Sequence, residues 1–107
     1  MAKKPRPARK AVNLKVRLIG VLRNLAGRDS LEIQVQEDRT VAQVVEKLID
    51  LVGRTEFEAA IVDRDLNDPT SNTLIIVNNK DISALNGLKT QLKDNDEIVL
   101  IPISHGG

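Results

Sequence analysis

Residues 40–53, TVAQVVEKLIDLVG, hold the one long helical period in this chain of 107 residues. Val41, Val44, Val45, Leu48, Ile49 and Val52 recur at helical spacing and line up as a single apolar stripe. Gln43, Glu46, Lys47 and Asp50 fall away from that stripe. Thr40 with Gln43 three residues on fits a capping box, in which the Thr hydroxyl accepts an amide and the Gln side chain reaches back. Gly53 supplies the left-handed residue on which helices end. The spacing therefore predicts a helix from Thr40 to Gly53 with one face to bury.

Strand patterns flank it. Over residues 13–18, Leu14, Val16 and Leu18 alternate with Asn13, Lys15 and Arg17; over residues 31–36, Leu31, Ile33 and Val35 alternate with Glu32, Gln34 and Gln36. Period-two alternation predicts two half-buried strands. They are expected to pair as an antiparallel hairpin whose wide connection, residues 20–28, is a turn region anchored by Val21, Leu22 and Leu25. After the helix, residues 56–62 suggest a short second helix with Phe57, Ala60 and Ile61 inward, and residues 63–72 a polar loop. Residues 74–77 (LIIV) form an apolar strand, Asn78-Asn79 a turn tolerant of positive φ, and Asp81-Ile82 a short return strand. Residues 85–92 show no period, residues 93–96 (KDND) read as a turn, and residues 97–103 (EIVLIPI) are the last strand. The order predicts an α+β fold, a mixed sheet of four to five strands wrapped on one main helix.

One helix covers one face of a sheet. Residues 74–77 and 98–103 are apolar on both faces, as in strands buried on both sides. The uncovered face is thus expected to present an apolar patch of the kind that marks partner surfaces. Leu74, Ile76, Ile98, Leu100 and Pro102 are the candidates.

Composition removes several kinds of chemistry. The chain has no Cys, which excludes disulfides, thiolate metal sites and a cysteine nucleophile. Its one His, His105, leaves no multi-histidine metal site, and neither a metal nor a cofactor is expected. Phe57 is the only aromatic residue, so no stacking platform for single-stranded nucleic acid can be built. No apolar run reaches the ~20 residues of a membrane span, and the N-terminus lacks the pattern of a secretory signal; a cytosolic location is expected. Net charge is +1, yet residues 12–107 hold 11 cations and 15 acids. The balance comes from residues 1–11, where Lys3, Lys4, Arg6, Arg9 and Lys10 stand beside two prolines and predict a disordered basic tail. Five cations give weak, salt-sensitive attraction, so direct binding of nucleic acid is not expected.

The final residues are Ser104, His105, Gly106 and Gly107. A Gly-Gly tail carries no Cβ and can pass through a channel too narrow for a side chain, presenting its carboxylate beyond. His105, in such a tail, is expected to be read by a partner rather than to act as a base, which needs rigid placement. Asp63/Asp65 and Asp94/Asp96 fall in polar turns, where backbone capping accounts for them. The chain is expected to be a substrate or binding module, not an enzyme.

Three stretches together resemble one family. Residues 22–34 (LRNLAGRDSLEIQ), 61–83 (IVDRDLNDPTSNTLIIVNNKDIS) and 92–107 (LKDNDEIVLIPISHGG) are similar to the β-grasp, ubiquitin-like sulfur carriers and modifiers: the MoaD/ThiS type, the ubiquitin-related modifier and the small archaeal modifiers. The resemblance covers residues 12–107. It departs at Ile103, where molybdopterin carriers more often have a second proline. It implies a β-grasp domain over residues 12–103 and a C-terminal tail, residues 104–107, in which Ser104, His105 and Gly106 are recognised by an activating enzyme and Gly107 is the point of covalent attachment. An adenylating enzyme using MgATP would activate the Gly107 carboxylate. A sulfurtransferase would supply sulfur as a thiocarboxylate for tRNA thiolation or molybdopterin synthase, or the acyl group would pass to lysines of target proteins. Lys80, Lys89 and Lys93 are candidate acceptors in turn. The alternative is a β-grasp binding module with an inert tail.

Overall fold

The structure, a computed structural model, describes residues 10–62 and 68–103. The expected basic tail up to residue 9, residues 63–67 of the polar loop with Asp63 and Asp65, and the tail 104–107 lie outside them.

Five strands form one mixed sheet in the order β2-β1-β5-β3-β4. β1 (Ala11–Leu18) begins one residue before the expected domain boundary and pairs antiparallel with β2 (Ser30–Gln36), Leu14 opposite Ile33. On its other side β1 runs parallel to β5 (Glu97–Pro102), Val16 opposite Ile98. β5 pairs antiparallel with β3 (Thr73–Val77), and β4 (Lys80–Asp81) closes the far edge. Asn78 and Asn79, at φ 49° and 71°, make the tight β3–β4 turn. The side chain of Asn78 ties that turn to β5, donating to Asp96 Oδ1 at 2.7 Å and accepting from the Glu97 amide at 2.9 Å.

The main helix is α2 (Val41–Val52). Its capping box forms as the sequence predicts. Thr40 Oγ1 accepts from the Gln43 amide at 3.3 Å, and the Thr40 amide donates to Gln43 Oε1 at 3.0 Å. Gly53, at φ +66°, donates its amide to Ile49 O at 2.9 Å and closes the last turn. α3 (Thr55–Ile61) is the short second helix, shifted by one residue from expectation. The connection between β1 and β2 is not all turn: it contains α1 (Val21–Ala26), a helix of six residues. Residues 85–92, aperiodic in sequence, contain one short 3-10 turn, Gly87–Lys89, and are pinned to the start of α2 by the Val41 amide to Thr90 O and the Leu92 amide to Arg39 O.

All three helices bury against the same side of the sheet. Val12, Leu14, Val16 and Leu18 of β1, Ile75 of β3, and Ile98 and Leu100 of β5 point inward. They join Leu22 of α1, the Val41–Leu48 stripe of α2, and Phe57 and Ile61 of α3 in one core. No helix among the described residues is long and apolar enough to cross a membrane.

Candidate docking face and C-terminal exit

The register of β3 and β5 decides which apolar side chains face away from the helices. Leu74 lies opposite Ile101 and Ile76 opposite Val99. These four are half-buried, and none belongs to the core or packs against it. β1 extends the strip. Arg17 lies opposite Val99, and the parallel register carried two residues on sets Ile19 beside Ile101, with the Ile19 amide donating to Leu100 O at 3.1 Å. Ile103 completes the row at 41% exposure, its amide held by Asn72 O at 2.9 Å. An apolar strip thus runs along β5 to Ile103, the last described residue.

Of the five residues expected on the outer face, two lie there. Leu74 and Ile76 are on this face. Ile98 and Leu100 are not: at 1% and 0% exposure they are core residues and can touch no partner. Pro102 shares their inward parity and is half-buried against Gly20. The apolar outer-face residues of β5 are Val99 and Ile101, with Ile103 just past its end. Their parity had a signal in the sequence. Glu97 is charged and must point outward, and every second residue after it shares its face. Ile19, beyond the alternating run of β1, carried no such marker. Ser104, His105, Gly106 and Gly107 lie outside the described residues.

The exit is braced from below. Gly20 takes φ +61° and ψ −132°, a conformation costly to any residue with a Cβ. A Cβ there would meet Pro102 Cγ at 3.3 Å. Backbone at Gly20 and ring at Pro102 therefore pack too closely to admit a methyl group without adjustment. Gly20→Ala is expected to cost about 1–3 kcal/mol in chemical denaturation and to shift Pro102. Gly27→Ala is the comparison, since Gly27 also has positive φ but open space around its Cβ position. Equal costs at the two sites would mean that the contact with Pro102 matters little.

The described carboxylates of the polar turns do structural work. Asp96 Oδ2 accepts from the Lys93 amide at 2.7 Å, the turn capping expected of it, whereas Asp94 Oδ1 accepts from the Asn13 amide at 2.7 Å and ties the turn to β1. The Thr70 hydroxyl, and then its amide, hold the Asp68 carboxyl below the usual carboxylate range by bonding to its ionised form. Lys80, Lys89 and Lys93 are exposed.

A sheet of this order with a free face and a C-terminal strand at its centre can dock a partner and deliver a tail. Comparison with known families says which chains are built this way. The ThiS family model matches residues 16–107. The chain belongs to the ThiS family. It has the β-grasp fold of the ubiquitin-like sulfur carriers and modifiers. Among solved structures, the small archaeal modifier protein 1 from Methanosarcina acetivorans is 28% identical with TM-score 0.76, over 92% of this chain and 99% of that one. A putative molybdopterin converting factor, subunit 1, from Pyrococcus furiosus is 25% identical with TM-score 0.69, over 87% and 99%. Urm1 of Sulfolobus solfataricus is 28% identical with TM-score 0.61, over 83% and 99%. No curated protein sequence matches the chain.

Proposed function

We propose that this ThiS-family chain is an acyl donor that works through the carboxylate of Gly107. An adenylating enzyme with MgATP joins that carboxylate to AMP and releases pyrophosphate. A protein persulfide then attacks the acyl-adenylate, expelling AMP and leaving an acyl disulfide. A thiol of the sulfur donor attacks the sulfur of its own cysteine in that disulfide, which becomes an enzyme disulfide and frees Gly107 as a thiocarboxylate. That sulfur is passed to a tRNA-thiolating enzyme or to molybdopterin synthase. A lysine amine of a target protein can accept the same activated acyl group and form an isopeptide bond. The chain itself is substrate and carrier, not catalyst, and the chemistry belongs to the cytosol, where MgATP is at hand.

The observation that carries this proposal is the family match reaching through Gly106 and Gly107. The apolar strip that leads along β5 to Ile103 supports it, because a partner seated there lies beside the departing tail. Four residues extended span at most about 13–14 Å, enough to enter a partner's site from outside. The likeness to a modifier and to a molybdopterin converting factor supports both acceptors.

Intact mass spectrometry tests the proposal. After incubation with the adenylating enzyme, MgATP and a persulfide donor, the chain is expected to gain one sulfur in place of one oxygen at Gly107. A mass that stays unchanged in the presence of an enzyme active on another ThiS-family chain would leave the inert-tail binding module as the better description.

A further inference from the structure

The five described arginines, together with Lys47 of α2, divide into two sets. Arg39 donates to Gln36 Oε1, Lys47 to Gln34 O and Arg54 to Leu25 O, so the fold uses these three internally. The side chains of Arg17, Arg23 and Arg28 make no hydrogen bond or ion pair with any described residue. They converge on one corner, where β1 ends, α1 turns and β2 begins. Arg17 and Arg23 line an open depression of about 330 Å³ with Ile19, and Arg23 and Arg28 line the next with Gly27. Asp29, shared by both depressions, is the one acid among their lining residues. Lys15 is different, since the register sets it between Glu32 and Glu97. Arg17 instead faces Ser30 and Val99 and has no counter-charge across either neighbour strand.

This corner adjoins the docking strip, because Ile19 belongs to both. An apolar centre with a charged, solvated rim is the anatomy of a protein interface. A phosphate backbone would want the cations without the isoleucines, and bases would want aromatic faces that the chain lacks, its one Phe being buried. Guanidinium groups pair in two-pronged fashion with carboxylates. We infer that Arg17, Arg23 and Arg28 form an electropositive rim that seats an acidic surface of the activating enzyme beside the apolar strip. This rests on the acyl-donor function proposed above.

The test separates the rim from that function. Binding of the full chain to the purified adenylating enzyme is measured without ATP, at low and at physiological salt. Wild-type affinity is expected to fall with salt, as exposed charge pairs are screened. The triple variant Arg17→Glu/Arg23→Glu/Arg28→Glu is expected to bind more than about 10-fold more weakly at low salt and to lose the salt dependence, since rim charges act on encounter. Arg39→Glu/Lys47→Glu, on the β2–α2 side of the domain, is expected to bind like wild type. All three Arg are exposed, so unfolding midpoints should not move. Binding by the triple variant within about 2-fold of wild type, or an equal loss in the Arg39/Lys47 variant, would overturn the rim. So would tight binding of a ~20-nucleotide single-stranded RNA that the triple variant loses while enzyme binding holds. Pyrophosphate exchange run in parallel reports on activation. Exchange absent from wild type overturns the proposed function and the rim with it, whereas normal exchange with unaltered binding in the triple variant overturns the rim alone.

Discussion

Phe57→Ala is expected to remove about 3–5 kcal/mol of folding stability, read as a lowered denaturation midpoint at constant slope. Phe57 is fully buried and is the only aromatic side chain in the molecule. Every other contact in the core is made by branched aliphatic groups, which cannot spread to fill a ring-sized hole. Its position matters as much as its volume. It sits on α3, a helix of seven residues too short to hold itself together, so its docking is also its reason for being helical. A domain this size has about 5–15 kcal/mol in hand, and the midpoint temperature should fall by on the order of 20 °C. Phe57→Leu keeps most of the volume and should cost far less. A loss below about 1 kcal/mol in Phe57→Ala would show that α3 does not close the core as described.

Deletion of Gly107 is expected to lower ATP-dependent pyrophosphate exchange by at least about 100-fold while leaving stability unchanged. The deletion moves the reactive carboxylate back by about 3.5 Å. A displacement of about 1 Å at a reacting centre can already cost about 100-fold, because the positioning of the attacking group is most of what the activating site supplies. The fold should not notice, since the last described backbone bond is that of Ile103 to Asn72. Measured together, exchange and denaturation separate delivery from folding. A shortened chain that is activated as well as the full one would refute the assignment to Gly107.

What could be read in the sequence divides along one physical line. Where an element has one wet face, its period is written in the residues. β1, β2 and α2 are such elements, and the capping box at Thr40 and the Gly53 stop formed where the sequence placed them. Where both faces are apolar, alternation vanishes, and only pairing with neighbours assigns the faces. That is why the sequence pattern points Ile98 and Leu100 outward although they are buried, and does not single out Val99 and Ile101. α1 was hidden for another reason. Six residues are less than two turns, too short for a helical period to stand out, and the glycines at either end read as turn. The three rim arginines are scattered over residues 17–28 and become a cluster only when α1 folds the chain back on itself.

The parallel pairing of β1 with β5 fixes how the domain answers to force. A pull on Ile103 directed away from Ala11 drags β5 lengthwise against β1, while β3 grips its other edge. The cross-strand bonds then share the load and must yield together, whereas a hairpin pulled open at its mouth gives way one bond at a time. A machine that hauls this protein by its C-terminal end works against the strongest direction of the sheet. Anything fastened there is tethered to an anchor that slips last.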